Sequence, residues 1–191
     1  MIDPMPRSLK GPLLVTGLLS LLLTTGCATS RGSFEGGWFS RDIRFEGAES
    51  HQDARLRYRA GDLPSGWGPG EAPPGDFAFY NKDLGATIYA DSSCGKKFDD
   101  SPLSVLSNHL TMGFTDVAED SRIEGMLDER GSLERVFSAK LDGVPVRLVT
   151  TVVKKDICVF DLVLISSTVD ADRALEDYRS LRDGFEARFA R

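Results

Sequence analysis

The chain has 191 residues, of which 41% are apolar and 27% charged, a composition that fits one compact domain and excludes two large ones. Its net charge of −6 argues against nucleic acid or an anionic membrane surface as the main partner. Two histidines and three cysteines offer few metal ligands, and we expect no cofactor.

Residues 1–26 have the features of a targeting segment. Arg7 and Lys10 precede an apolar run of 16 residues, which is shorter than the roughly 20 that cross a bilayer. The run closes on Leu23-Thr24-Thr25-Gly26-Cys27. This ending resembles the lipobox of a bacterial lipoprotein signal peptide, although Thr24 stands where the motif prefers leucine. The alternatives are a plain secretory signal or an anchor helix.

The lipobox resemblance implies that Cys27 becomes the acylated first residue of the mature chain. Ala28 follows it, and the absence of an aspartate there implies sorting to the outer membrane, with the domain in the periplasm. Two or more acyl chains anchor a protein stably. Removal of residues 1–26 takes away two basic residues and one acidic residue, which leaves a net charge of −7. We therefore expect the domain to stand off anionic headgroups.

Cys94 and Cys158 are the other cysteines, and an oxidising compartment favours a disulfide between them. In the chain-entropy model, closing a loop of roughly 65 residues stabilises a fold by about 4 kcal/mol. One alternative is a pair of buried free thiols. The other makes Cys94 a nucleophile with His109 as its base, but no local signature supports this arrangement.

Residues 27–53 are predicted to be a tether and lead-in, because glycines and polar residues offer little surface to bury. Four large apolar residues interrupt this pattern: Trp38, Phe39, Ile43 and Phe45. They dock either on the domain itself, which we favour, or on a partner. The predicted domain occupies residues 54–191.

The first half of the domain alternates short strands with turns. Leu56 and Tyr58 alternate in a strand that begins at Ala54, and the Gly- and Pro-rich residues 61–75 form a loop. Strands are predicted near 76–81 and 85–91.

A helix is predicted from Ser101, a good N-cap, to Gly113. Pro102 suits its first turn, and a stripe of leucines recurs at three and four residues. The acidic residues 115–131 are predicted to be a solvated loop. A docking patch for a basic partner or a calcium loop are alternatives, but the oxygens lack the regular spacing of a calcium loop.

The second half of the domain has the clearest pattern. Apolar residues alternate over 133–141 and 144–152, and Asp142-Gly143 is a tight hairpin turn. Residues 157–165 are almost continuously apolar, which favours a central strand and a three-strand meander. A terminal helix is predicted over 170–189. The expected fold class is α+β, with an antiparallel sheet of the meander plus the N-terminal strands, covered by two helices.

Three short motifs fall at corresponding places of a known fold: Leu63-Pro64-Ser65-Gly66-Trp67, Leu141-Asp142-Gly143-Val144-Pro145-Val146 and Leu181 to Phe185. With this order of elements, residues 54–189 resemble the PsbP-like α/β/α sandwich. The resemblance implies a non-catalytic part that binds or helps to assemble larger complexes. Some PsbP-like domains hold metal ions, but this chain has no matching ligands, and we expect no metal.

Asp161 is a charged residue within the predicted central strand. A buried carboxylate requires a partner, and Arg135 or Arg147 is predicted to supply it. The alternative is a polar point in a ligand cleft. His109 is predicted to lie at the border of its helix, and the competing interpretation is a metal site with Asp99 and Asp100.

These observations predict a lipid-anchored, non-enzymatic envelope protein that binds another envelope component. The partners are the membrane, through the acyl groups on Cys27, and an envelope protein, with no nucleic acid. One alternative is a carrier of a small apolar or lipid ligand between the meander and a helix. A thiol-dependent hydrolase that uses Cys94 and His109 is the other.

Overall fold

The structure is a computed structural model, and it describes residues 32–44, 53–70, 75–98 and 100–190. The predicted signal peptide and Cys27, as well as Phe45 and Asp99, lie outside the described residues.

The described residues form eleven strands and two α-helices, α1 (Leu103–Leu106) and α2 (Ala171–Asp183). The strands are β1 (Ser33–Glu35), β2 (Trp38–Arg44), β3 (Asp53–Arg59), β4 (Gly68–Pro69), β5 (Phe77–Asn81), β6 (Ala86–Cys94), β7 (Thr115–Leu127), β8 (Arg130–Leu141), β9 (Val144–Lys155), β10 (Cys158–Ser167) and β11 (Glu186–Ala190).

The strands build two antiparallel sheets. The large sheet has the order β4-β5-β6-β10-β9-β8-β7, and the small sheet has the order β1-β2-β3-β11. The α+β fold class and the meander β8-β9-β10 were therefore predicted correctly. Asp142 and Gly143 both have positive φ, as the hairpin turn requires. The N-terminal strands, which were predicted in one sheet with the meander, divide between the two sheets.

The large sheet has a hydrophobic core on each of its two faces, and its central strand, β10, contributes side chains to both. Phe160 and Leu162 point to the face that packs against α2 and the inner side of the small sheet. Val159 and Val163 point to the opposite face, where the segment that begins at α1 covers them. The nearly continuous apolar sequence of β10 follows from burial on both faces.

The helix predicted from Ser101 to Gly113 was too long. The structure has one α-helical turn, α1, followed by a 3-10 helix over Ser107–Thr111, and the N-cap is Pro102, which makes no side-chain cap bond. The Ser107 hydroxyl donates to the Ser104 carbonyl, and the Thr111 hydroxyl donates to the Asn108 carbonyl. Such side-chain bonds to preceding carbonyls compete with the regular α-helical pattern.

The prediction of a solvated loop at 115–131 was wrong, because most of this segment is the edge strand β7. Its side chains are exposed throughout except for Leu127, so no apolar alternation marks the strand. The backbone pairs with β8, and this pairing supplies the hydrogen bonds that favour a strand. Ion pairs of Asp116 with Lys140 and of Glu119 with Arg135 hold the acidic side chains on the sheet.

The terminal helix predicted over 170–189 ends at Asp183, and the chain continues as β11 alongside β3. A Cβ at Gly184 would overlap the Cα of Gly61, so this close approach requires glycine. Phe185 then packs at 5.1 Å from Phe160, between ring centroids. The helix therefore stops where the chain turns into the core.

Part of the predicted lead-in belongs to the small sheet. Strands β1 and β2 pair with each other, and β2 pairs with β3. Phe39 and Ile43 are buried in the core, at 2% and 7% exposure, whereas Trp38 points to the outer side of the sheet. This part of the lead-in docks on the domain of the same chain.

Candidate functional site

A disulfide joins Cys94, the last residue of β6, to Cys158, the first residue of β10. The two residues are direct neighbours in the antiparallel register, although 64 positions separate them in sequence. His109 contacts Asp161, which lies on the other face of β10 from Cys158 because successive strand residues alternate between faces. The structure therefore does not bring a Cys94 thiol and His109 together.

Asp161 is buried, with 4% of its side chain exposed, and its partner is His109. The prediction that Arg135 or Arg147 pairs with it was wrong. Arg147 lies on the opposite face of the sheet, where it pairs with Asp172. Arg135 lies on the same face as Asp161 but reaches toward the sheet edge.

Arg135 has a complete set of other partners at that edge. Its guanidinium lies 2.6 Å from a Glu119 carboxylate oxygen and donates to Ser107 Oγ and Asn108 Oδ1, each at 2.9 Å. The ring of Phe137 lies beneath the guanidinium, 4.7 Å from its central carbon. Neither arginine therefore offers a positive charge to Asp161.

The 3-10 helix that follows α1 places His109 over Asp161. Nε2 lies 3.1 Å from Asp161 Oδ2, and Nδ1 contacts the Leu106 carbonyl oxygen. Since the Leu106 carbonyl accepts hydrogen bonds, and an ionised Asp161 carboxylate does too, these contacts favour the protonated ring, in which both nitrogens donate. The hydrogen bond to Asp161 raises the pKa of His109. When it is protonated, the ring has no lone pair with which to bind a metal ion or take a proton.

Sequence reasoning missed the His109–Asp161 pair. His109 lies between Leu106 and Leu110, both of which are buried against the sheet. The sequence offered two signals of this pair: a histidine in an apolar stripe and a lone aspartate in a core strand. The sequence did not indicate that the α1 segment crosses β10 at Asp161.

Asp91 adds a second carboxylate directly opposite Asp161 in the sheet register. Burial, and then the negative charges of Asp76 and Asp161, raise the pKa of Asp91 to about 6. Burial and the Asp161 charge also raise the pKa of Tyr89 to about 12. Oδ1 of Asp161 has no hydrogen-bond partner among the described residues. His109 is the positive partner in this cluster, and burial and the neighbouring carboxylates make Asp91 easier to protonate than a free aspartate.

A separate polar network links the two sheets. Asp76 accepts hydrogen bonds from Tyr58 of β3 at 2.7 Å and from Ser92 of β6 at 2.5 Å. Arg41 of β2 donates to the Ser92 carbonyl oxygen. Arg41 also lines a pocket of about 290 Å³ that includes Cys94 and Lys97. Burial raises the pKa of Asp76. These bonds fix how the small sheet sits on the large one.

An apolar pocket of about 290 Å³ opens beside β5, and we call it the aromatic groove. Phe34 of β1 is 45% exposed, and its ring centroid lies 5.1 Å from that of Phe77 and 6.2 Å from that of Phe79. The Trp67 indole forms another wall and donates to Asp177 of α2 at 2.9 Å. The lining residues are Phe34, Gly37, Ala60, Gly61, Asp62, Leu63, Trp67, Phe77 and Phe79.

The groove explains part of the Leu63 to Trp67 motif. Gly66 has a φ of +102°, a conformation that disfavours other residues, and it turns the chain so that Trp67 reaches α2. The sequence of this motif indicated a resemblance to a known fold, but it did not reveal that the motif lines a pocket.

The described residues contain no cluster of three or more histidine, cysteine, aspartate or glutamate side chains arranged to hold a metal ion. Neither of their helices has the length and apolar character needed to cross a bilayer.

Comparisons with known proteins agree on the fold. No family model and no curated protein matches the sequence. The cyanobacterial PsbP protein CyanoP of Synechocystis sp. PCC 6803 aligns with a TM-score of 0.50 and 10% identity, over 82% of this chain and 98% of its own. LpqN, involved in cell envelope biogenesis of Mycobacterium tuberculosis, aligns with a TM-score of 0.50 and 13% identity, over 81% and 92%.

A third structure, from Bacteroides thetaiotaomicron, aligns with a TM-score of 0.50 and 15% identity over 70% of this chain. This chain spans only 45% of the length of that protein. At these identities the comparisons establish the fold, and that fold is PsbP-like.

Proposed function

We propose that the protein is a lipid-anchored, non-catalytic module that binds another protein of the bacterial envelope, on the periplasmic face of the outer membrane. The lipobox-like segment supports the anchor at Cys27. The Cys94–Cys158 disulfide supports an oxidising compartment. The involvement of LpqN in envelope biogenesis supports the envelope as the place of action.

The aromatic groove is the observation that carries the proposal. Aromatic side chains are enriched at protein interfaces because they bury a large area with few rotatable bonds. Phe34 stays half exposed although it contacts two other rings, and its burial by a partner would remove apolar surface from water. The groove has room for one or two apolar side chains, which suits the anchor residue of a protein partner.

The arrangement of chemical groups supports a non-catalytic role. Cys94, the nucleophile of the thiol-hydrolase alternative, is in a disulfide, and both ring nitrogens of His109, its expected base, already contact oxygens of Asp161 and Leu106. A general base must have a free lone pair within reach of the proton that it takes. His109 serves instead as the counter-ion of Asp161.

The test is site-specific photo-crosslinking in intact cells that produce the full chain. A photoreactive residue at Phe34 or Phe79 should give one discrete adduct with an envelope protein. The same residue at Val169, which is 87% exposed and outside the groove, is the control and should give no such adduct. Equal patterns from the groove and from Val169 would contradict the proposal.

Native mass spectrometry distinguishes the proposed binding module from the alternative, a carrier of a small apolar or lipid ligand. The space between the meander and α2 is filled by Ala174, Tyr178 and Leu181, each 0% exposed. The aromatic groove is at the lower limit of small-molecule pockets, which start at about 300 Å³. We therefore expect the purified protein to carry its acyl groups and no other lipid. A stoichiometric bound lipid would favour the carrier.

A further inference from the structure

The outer side of the small sheet gathers arginines around one tryptophan. Among the residues that strand alternation places on this side, away from the core, we call five the arginine face: Trp38, Arg55, Arg57, Arg59 and Arg188. The guanidinium carbons of Arg57, Arg59 and Arg188 lie 5.2, 5.2 and 5.0 Å from the Trp38 ring centroid. Such cation–π contacts hold the guanidinium groups in a fixed array at the surface.

The acidic residues of this side do not neutralise the array. Glu186 pairs with both Arg59 and Arg188. Arg57 has no carboxylate partner among the described residues, and the residue directly opposite it in the register is another arginine, Arg188. Like charges directly opposite each other destabilise a sheet, so an external anion would stabilise this arrangement. Strand alternation also places Glu35, Asp42 and Glu186 on this side, so the four arginines of the arginine face outnumber these carboxylates by one, on a chain whose net charge is −6.

The position of the small sheet in the chain indicates which class of anion the arginine face binds. Gly32 lies so close to β2 that a Cβ there would overlap the Ser40 carbonyl oxygen. Cys27 is five positions before Gly32, and an extended chain of that length spans at most about 18 Å. Acylation of Cys27 would therefore hold the small sheet within about two Debye lengths of the membrane surface.

We propose that the arginine face is a membrane-contact surface that binds the phosphate groups of anionic phospholipids. This inference rests on the lipid anchor of the proposed function. Guanidinium groups bind phosphate oxygens with paired hydrogen bonds, and a tryptophan ring suits the interface between headgroups and acyl chains. The net charge predicted a domain that stands off anionic lipid, but the fold gathers four arginines on one side of the small sheet, which follows the anchor in the chain.

The test uses the full-length acylated protein in vesicles of phosphatidylcholine, with or without about 30% phosphatidylglycerol. An arginine-directed reagent, hydroxyphenylglyoxal, is applied, and each modified arginine is read by peptide mass spectrometry. Phosphatidylglycerol should slow the modification of Arg57 and Arg188 about fivefold or more, and about 0.5 M NaCl should restore it. Arg122 of β7 and Arg173 of α2 are the internal controls and should not change.

A matched pair of variants tests the cause of the protection. Arg57→Gln/Arg188→Gln should abolish the phosphatidylglycerol-dependent protection of Arg59. Arg122→Gln/Arg173→Gln removes the same charge away from the arginine face and should leave the protection intact. Equal loss in both variants would overturn the proposal, because it would indicate a response to net charge alone.

Separate measurements test the acylation of Cys27 and the membrane-contact surface. Intact mass reports acylation, and flotation with vesicles reports anchoring. An acylated chain that floats while Arg57 and Arg188 remain fully reactive overturns the membrane-contact surface and leaves the anchor standing. An unacylated Cys27 overturns both. Protection in native envelope membranes but not in phosphatidylglycerol vesicles would identify an acidic protein on this face and overturn the lipid proposal.

Discussion

Strands β10 and β7 belong to the same sheet, yet different forces place them there. Along β10, residues 158–164 are buried, and the strand pairs with β6 on one side and β9 on the other. Along β7, all side chains but one are exposed, and β8 is its only pairing partner within the part of the chain that the structure describes. Burial of apolar surface fixes β10, whereas backbone pairing and ion pairs fix β7. The first source is visible in the sequence and the second is not.

The largest difference between the two strands should appear on loss of an apolar side chain. Leu162→Ala in β10 should lower the free energy of unfolding by about 4 kcal/mol, because Leu162 is 0% exposed and its loss leaves a cavity. Ile123→Ala in β7, where Ile123 is 47% exposed, should change it by about 0.5 kcal/mol or less. Urea unfolding followed by circular dichroism measures both. Equal losses would show that β7 is buried in solution.

The disulfide between β6 and β10 should have the next largest effect. Cys94→Ser/Cys158→Ser should lower the free energy of unfolding by about 3 kcal/mol, a typical contribution of a disulfide and less than the chain-entropy value of about 4 kcal/mol. Without the cross-link, the unfolded chain regains the conformational freedom of a loop whose ends lie 64 positions apart. Reductant should lower the stability of the native chain by a similar amount. It should have no effect on the double variant, and an effect there would point to another cause.

The two strands also differ in their ion pairs. His109→Ala should lower the stability by about 2 kcal/mol, because it leaves the buried Asp161 carboxylate without its partner. Since the pKa of His109 is raised in the folded state, its contribution is full below its unfolded pKa of about 6.5 and is lost as the pH rises through the folded value. The loss should therefore be larger at pH 6 than at pH 9.

A double-mutant cycle with Asp161→Asn separates the loss of the ion pair from any other destabilisation that His109→Ala causes. The asparagine needs no positive partner, so His109→Ala should cost much less in that background. Met112→Ala, near the same 3-10 helix and 78% exposed, is the control and should have little effect. Additive losses would contradict a direct interaction between the two side chains.

The smallest effect is expected for the ion pairs of β7. Hydrogen bonds from Arg122, and then from Arg135, lower the pKa of Glu119 to about 2. Its contribution is present above the unfolded pKa of about 4.5 and is lost as the pH falls toward 2. Glu119→Gln should lower the stability at pH 7 by less than about 1 kcal/mol, since the pair is solvated. Thermal unfolding at pH 7 and pH 3 tests this, and a loss that is unchanged at pH 3 would contradict it.

The limits of sequence reasoning at the candidate site follow from geometry. Asp161 was recognised as a residue in need of a partner, because a charge in an apolar strand is a local signal. The choice of partner was wrong, because it depends on which face each arginine occupies and on where α1 crosses the sheet. Arg147 is on the wrong face, and Arg135 is already satisfied by Glu119 and Ser107. Asp91 was missed because only the register places it opposite Asp161.

The sequence by itself determined the meander, its Asp142-Gly143 turn, the central position of β10 and the pairing of the two domain cysteines as the favoured alternative. Each of these follows from a local pattern or from the count of cysteines. Only the tertiary structure decided that β7 is a strand, that β11 ends the chain, and that Phe34 and Trp67 meet in one groove. It also decided that the arginines of β3 and β11 share one face. These features are contacts between distant segments, and the sequence of either segment alone does not encode where the other will lie.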